Sequence, residues 1–466
     1  MYMSGKKILR DRGRKKSNKN ERQTLLMINR INYRPWLNSG KNKEKTRRIF
    51  CLLALVVVIL AFPTSGTGNA TATVKLGNEV LLESYYHLID GKKVGLVTNQ
   101  TGVDSRGISF IDILLATGRT KLIALYAPEH GIDGTARAGA WVDSYIHPRY
   151  DIPVYSLYGS TRMPTYEMLL KIEVLLFDIQ DIGARSYTYM STLQYCLVAA
   201  EKYHKPLIVL DRPNPLGGII VEGPVLEDPF KSFMGVDNLP MAHGMTVGEL
   251  ARFFNRHIGA DLTVIPMEGY HRDMTFNDTG LPFVQISPNI PDLTSAYGYM
   301  ATGLGEGTGV FQADKFRWIG GKGLDAVRYA ELLNGARLPG VFFVPEVRGT
   351  AGGVRLEILD PYRFNPAKSG IYALAYAFML GDFQVPKSTS KNVVMFDKIM
   401  GTDKIGRYLE EGLTPQQIEA CYTPALQRFK QERENYLLPQ YRPSISVMIS
   451  EVPLSGDLCP FIDGQN

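Results

Sequence analysis

From Lys93 onward the chain repeatedly sets a short, unbroken apolar run beside a stretch with helical spacing: VGLVTN, IDILLATG, KLIALYAPEHG, VYSLYG, TYEMLLKI, VLLFDIQDIG, TYMSTLQYCLVAAEKY, LIVLDRPNPLGG. A strand with one wet face alternates apolar and polar residues, whereas a run of Val, Ile and Leu without alternation belongs to a strand covered on both faces. Such runs interleaved with helices predict a parallel sheet between helix layers. TVGELARFFNRHIG, opened by Thr246 and stopped near Gly259, adds a helix, and LTVIPM adds a strand. Beyond about Phe276 the character changes. Leu281 to Gly323 is rich in Gly and Pro, VFFVPEV and GVRLEILD read as strands, and GIYALAYAFML and TPQQIEACYTPALQRFKQER read as helices. The expected fold is α/β: a Rossmann-like parallel sheet domain over 73–280, then a smaller α+β C-terminal domain over 281–466, behind a leader at 1–72.

Polar residues gather just past the strands, in TNQTG, PEHGIDG, DIQDIGAR and DRPNPLGG. Loops at the carboxyl ends of parallel strands converge on the ligand crevice, so these four loops outline one site. It holds many carboxylates, with Glu129, Asp178 and Asp181 as catalytic candidates and Asp133, Asp211 and Glu222 close by in sequence. Asn99, Gln100, Gln180, Arg185 and Asn214 supply amides and a cation, and His130 stands beside Glu129. That mixture suits a sugar, whose hydroxyls and acetamides need fixed donors and acceptors, and whose glycosidic bond needs a carboxyl to protonate the leaving oxygen.

Each residue also has a plain structural reading. Asp211-Arg212-Pro213-Asn214-Pro215 fits a rigid turn with an internal ion pair, and Asp181 and Arg185, four apart ahead of a helix, fit capping and pairing. His130 fits a buried structural histidine as well as a catalytic one. Glu129 has neither a helix to cap nor an adjacent Lys or Arg, which leaves it as the catalytic choice.

Several chemistries are disfavoured. The turn after the first strand is Thr98-Asn99-Gln100-Thr101-Gly102, which lacks the glycines of a dinucleotide fingerprint, and GLGEGTG at Gly303–Gly309 follows no leading strand. There is no phosphate-cradling GxxxxGK[ST], no HxH or HExxH, and no GxSxG elbow. No cofactor and no metal are expected. The formal charge of +6 is misleading, because residues 1–50 hold 16 Lys/Arg against 3 Asp/Glu and the remainder is acidic. A basic tail on an acidic body makes no phosphate-tracking groove, so no nucleic-acid partner is expected.

The tail ends in Lys45-Thr46-Arg47-Arg48. It is followed by about 14 uncharged, mostly apolar residues from Ile49 to Phe62, then Pro63 and a small polar stretch with a cleavage-like Ala70-Thr71-Ala72. That order is a signal peptide's, and the run is shorter than the roughly 20 residues of a membrane-spanning helix. Export is expected, with a retained anchor as the alternative and no stable membrane insertion after processing. Cys51 does not follow the apolar run as a lipid-anchor cysteine would. Cys196 reads as a small buried hydrophobe, and Cys421 and Cys459 remain free to pair.

The segments VGLVTNQTGVDSRG, APEHGIDG, VYSLYGSTRMPTYEML, FDIQDIGARSYTYMSTL, LDRPNPLGG, VEGPVL, AHGMTVGELA and SPNIPDL together resemble the YbbC/NamZ-type exo-β-N-acetylmuramidases. The resemblance is dense from Lys93 to Leu293 and looser beyond. It implies a glycoside hydrolase that removes N-acetylmuramic acid from the non-reducing ends of peptidoglycan fragments, such as muropeptides or disaccharides. It also implies that the catalytic glutamate is that of PEHG, which is Glu129. The second catalytic group stays open among Asp178, Asp181, Tyr187 and Glu306. Asn289, in SPNIPDL, joins the substrate-binding candidates with Tyr187, Glu222 and Glu306. Where many members carry a longer FEGTN…SEGRGT segment, this chain reads ATGLGEGTGVFQADKF. The lactyl carboxylate of muramic acid calls for a cation, and Arg137, Arg162 and Arg185 are the candidates. The contrasting reading is a cell-wall sugar-binding protein with the same cleft and no turnover.

Overall fold

The unbroken apolar runs do form a parallel sheet. The computed structural model describes residues 74–443; the basic leader, the apolar run with its Ala70-Thr71-Ala72 site, Cys51 and Cys459 lie outside them. Six strands run parallel: β1 (Lys93–Thr98), β2 (Lys121–Ala127), β4 (Pro153–Ser156), β5 (Val174–Asp178), β6 (Leu207–Leu210) and β7 (Leu262–Ile265). The short β3 (Tyr145–Ile146) pairs antiparallel with β4 at the edge, giving the order β3-β4-β2-β1-β5-β6-β7. From β1 the chain builds outward through β2 and β4, then returns to β5 and builds the other way. The direction therefore reverses between β1 and β5, the position at which open α/β sheets part their loops into a crevice.

Helices α1 (Gly77–Ser84), α2 (Phe110–Thr117), α3 (Tyr166–Leu169), α4 (Tyr189–Lys202) and α5 (Val247–Asn255) cover both faces. Successive strand residues point to opposite faces, so each strand feeds two layers. Val97, Leu175, Phe177 and Val209 pack with Leu193 and Leu197 of α4 and Phe253 of α5. Val94, Leu96, Leu176 and Leu210 pack with Leu81 of α1 and Phe110 and Leu114 of α2. Burying one such side chain contributes about 1.5–3 kcal/mol before the ordering cost, which is why the strands tolerate no polar alternation. Cys196 of α4 is buried and free.

The C-terminal part carries a second, antiparallel sheet. Its strands β8 (Val310–Ala313), β9 (Trp318–Lys322), β10 (Val341–Arg348) and β11 (Ala351–Ile358) lie in the order β10-β11-β9-β8. VFFVPEV and GVRLEILD form the hairpin at one edge. Arg348 pairs with Ala351, leaving a two-residue turn that opens on Gly349 at φ 61°, a conformation glycine adopts without a Cβ clash. Around it pack α6 (Leu293–Thr302), α7 (Ala326–Gly335), α8 (Pro366–Leu380), α9 (Met395–Met400), α10 (Lys404–Glu410) and α11 (Pro415–Arg433). Tyr297 of α6, Ile319 of β9, Val354 of β11 and Leu374 of α8 belong to the same continuous apolar cluster as Leu193 and Phe253. The two sheets thus share one core. Among the described residues, no helix is long and apolar enough to cross a membrane.

Candidate active site

Glu129 sits two residues past the end of β2, separated from it by Pro128. The Gly131 N–H donates to the Pro128 carbonyl at 3.1 Å and closes a tight turn, and His130 within it takes φ 72°, a left-handed value that L side chains avoid. The turn swings the Glu129 side chain over the start of α4. One carboxylate oxygen accepts the Gly139 N–H at 2.8 Å, the other the Thr188 hydroxyl at 2.5 Å. Thr188 holds the N-cap position of α4, yet its side chain makes no cap bond. Its hydroxyl turns to the glutamate, which lies at the positive end of a 14-residue helix.

This carboxyl, only 7% exposed as a residue, lines a cavity of about 130 Å³. Ser186, Tyr187 and Thr188 come from the segment between β5 and α4; Ser287, Asn289 and Ile290 come from the loop before α6; Tyr299 comes from α6 itself, and Met234 and Phe316 complete the wall. The cavity therefore stands between the parallel sheet's loops and the C-terminal part. His130 lines it too, and its Nδ1–H donates to the Ala136 carbonyl at 2.7 Å, leaving Nε2 for other partners.

Tyr158 lies beside Glu129. Burial is the largest cause of its raised phenol pKa, followed by the charge of the Glu129 carboxylate and the hydrogen bond to it, while Arg162 acts in the opposite sense. The Arg162 guanidinium stacks 3.4 Å from the Tyr158 ring centre and 5.1 Å from that of Phe233, with one terminal nitrogen buried and without a hydrogen-bond partner. Arg137, by contrast, is exposed.

The structure brings some sequence candidates here and takes others away. Gln100 donates through Nε2 to the Gln285 and Ile286 carbonyls at 2.7 and 2.8 Å, anchoring the loop that carries Ser287 and Asn289. Its carboxamide also packs on Gly134, where an added Cβ would lie 2.2 Å from it; that contact requires glycine and holds the Glu129 loop. Asn99 folds its Oδ1 back onto the N–H and hydroxyl of Thr101 at 2.9 and 2.5 Å, shaping the first loop.

Asp178 is fully buried and bound to Arg212 Nε at 2.6 Å and Asn78 at 3.1 Å, so the ion pair expected within Asp211-Arg212 forms across two strands. Asp181 and Arg185 do not pair. Asp181 accepts from the Gly183 N–H at 2.9 Å and meets His243 Nε2 at 3.2 Å, and Arg185 donates to the carbonyls of Pro224, Leu239 and Ile399. With no counter-charge in that nest, burial lowers the Arg185 pKa to about 9, and the residue does not line the cavity.

Gln180 bridges the Asp181 and Pro213 carbonyls, and Asn214 holds the Met245 carbonyl; both order loops without lining the cavity. Glu222 bonds the Gly223 N–H at 2.9 Å and Asn365 at 3.3 Å, at the junction with α8, with its pKa raised by burial. Glu306 is exposed outside the cavity. The carboxylates Glu129, Asp178 and Asp181 do not assemble into a cation site, and no group of three metal-ligating side chains occurs among the described residues.

Two family profiles match the chain: "Exo-beta-N-acetylmuramidase NamZ, N-terminal" over residues 94–294 and "Exo-beta-N-acetylmuramidase NamZ, C-terminal" over 297–438. The chain belongs to the NamZ family. It is 40% identical over 407 residues to the peptidoglycan β-N-acetylmuramidase NamZ of Bacillus subtilis (strain 168), a match covering 83% of this chain and 97% of that protein. Two crystal structures of DUF1343 family proteins from Bacteroides fragilis share the fold. One has TM-score 0.69 and 34% identity, with 78% of this chain and 99% of the other covered; the second has TM-score 0.61 and 27% identity, with 80% and 99% covered. As a NamZ family member the chain is a glycoside hydrolase. The two family halves meet at residues 294–297, at the start of α6.

Thr188, Ser186, Tyr158, Ser287 and Tyr299 are cavity or carboxyl neighbours that residue-by-residue reading passed over. Only Thr188 left a local trace, as a hydroxyl residue at the head of an apolar helix; the others arrive by tertiary contact.

Proposed function

We propose that Glu129 is the general acid of an exo-β-N-acetylmuramidase that releases N-acetylmuramic acid from the non-reducing ends of peptidoglycan-derived muropeptides or disaccharides. One observation carries this: a single buried carboxyl, held by Thr188 and Gly139, borders a small cavity at the carboxyl ends of the strands. Two fixed donors aim the group, and the wall of hydroxyls and phenols supplies hydrogen bonds for one sugar ring. Arg162 is the cation for the lactyl carboxylate: it stands next to Tyr158 with an unpartnered terminal nitrogen, whereas Arg185 is spent on carbonyls.

The test is hydrolysis of a chromogenic β-N-acetylmuraminide by wild type and Glu129→Gln. Turnover should fall roughly 10²- to 10⁴-fold in the variant while ligand affinity persists. A non-catalytic sugar-binding protein would bind equally in both and turn over in neither. We further propose export, for which the basic leader and apolar run speak. Cell fractionation with an antibody to the folded part tests it: recovery of the protein inside the cell would remove the proposal.

A further inference from the structure

Glu129 is the one carboxyl lining the cavity among the described residues. Cleavage by two protein carboxyls needs the second to face the sugar from about 5 to 9.5 Å away. The other sequence candidates are committed elsewhere: Asp178 to Arg212, Asp181 to Gly183 and His243, Glu222 to Gly223 and Asn365, and Glu306 to solvent. An aromatic corner lines the same cavity. Tyr187 meets Tyr189 edge-on at 4.9 Å and Tyr299 at 5.7 Å and 90°. Tyr187 is 7% exposed, yet its hydroxyl makes no hydrogen bond of good geometry with the protein, although Ser287 and Tyr189 lie beside it. A buried hydroxyl left in that state has an unmet partner in the cavity.

We infer that the second reacting group is the substrate's own 2-acetamido group, held by the Tyr187 corner. The inference rests on the muramidase reading. In the first step Glu129 gives its proton to the glycosidic oxygen as the C1–O bond breaks, and the electron pair leaves with the departing sugar's hydroxyl. The acetamido carbonyl oxygen bonds to C1 from the opposite face, forming a cyclic oxazolinium. In the second step a water attacks C1 and loses a proton to the Glu129 carboxylate. The bond between C1 and the acyl oxygen breaks, the electron pair returns to the amide, and the sugar keeps its β configuration. The Tyr187 hydroxyl bonds the acetamido oxygen, and the Tyr187 and Tyr299 rings shield the cation that forms.

The full chain is assayed on 4-nitrophenyl β-N-acetylmuraminide and its mono-, di- and trifluoroacetamido analogues, which progressively weaken the carbonyl oxygen as a nucleophile. The first-formed anomer is followed by proton NMR. Retention is expected, with kcat/KM falling roughly 100-fold or more from acetyl to trifluoroacetyl. Tyr187→Phe is expected to lower kcat more than it changes KM. Inversion, or a flat fluorine series with retention and a sugar trapped on a side chain, overturns the inference while leaving the muramidase standing. No cleavage of the parent muraminide sinks both.

Discussion

Thr188 shows how one hydroxyl connects fold to chemistry. At the head of α4 it would ordinarily cap the helix, but it donates to Glu129 instead. Thr188→Val keeps the shape and removes the donor. Because the hydroxyl caps nothing, the melting temperature should move little, while kcat/KM on the muraminide falls roughly ten- to a hundredfold, the worth of a hydrogen bond to a charged group. His130 is the adjacent cost: a histidine at φ 72° in the turn that aims Glu129. Arg162 makes a sharper prediction. If its free nitrogen meets the lactyl carboxylate, Arg162→Met should reduce the preference for muraminide over glucosaminide roughly ten- to a hundredfold, with the glucosaminide rate unchanged. Arg162→Lys should recover little, since an ammonium cannot make the paired contact. Competition between the two substrates measures this directly.

The helix α5 is held by carboxylates from outside itself. Thr246 and Glu249 form its capping box, Glu249 also pairs with Arg272 in full burial, and Asp211 at the end of β6 accepts the Gly248 N–H at 2.6 Å and the Thr246 and Tyr441 hydroxyls at 2.9 and 2.8 Å. Burial pushes the Asp211 carboxyl up to about 7, and its hydrogen-bond donors oppose the shift. A carboxyl raised in the folded state contributes stability that is whole below its unfolded value near 4 and is lost as pH rises through 7. Thermal melts should therefore show wild type losing more melting temperature between pH 5 and 8 than Asp211→Asn does. An equal slope in the two proteins would discard this account. Read from sequence, Asp211 was a crevice carboxylate. The fold makes it the clamp that joins β6, α5 and the returning chain at Tyr441.

The parallel and antiparallel sheets share a common apolar cluster. Side chains from α4, α6, β9 and α8 touch within it, so neither part can lose its packing without exposing the other. Calorimetry on the purified chain should give one cooperative transition with matching calorimetric and van't Hoff enthalpies; two resolved transitions would mean that the shared core is not the unit of stability. The arrangement also positions the site. The cavity borrows Glu129 from the β2 loop and Tyr299 from α6, and the shared core keeps those two elements in register.

Much of this was legible before any coordinates. Unbroken apolar runs are a local signal of strands covered twice, and the turn chemistry of Pro128-Glu129-His130-Gly131 marked a carboxyl with nothing local to neutralise, so the parallel sheet, its loop crevice and Glu129 could be read from adjacent residues. The roles of Asp178, Asp181 and Arg185 could not. A side chain's partner is decided by whatever the fold brings beside it: Arg212 from 34 residues away for Asp178, His243 from 62 away for Asp181, and Ile399 from 214 away for Arg185. Buried charges need partners, and partners at such separations leave no periodic trace in the chain. Sequence therefore settled which loops meet, and packing settled which of their groups still face the cavity.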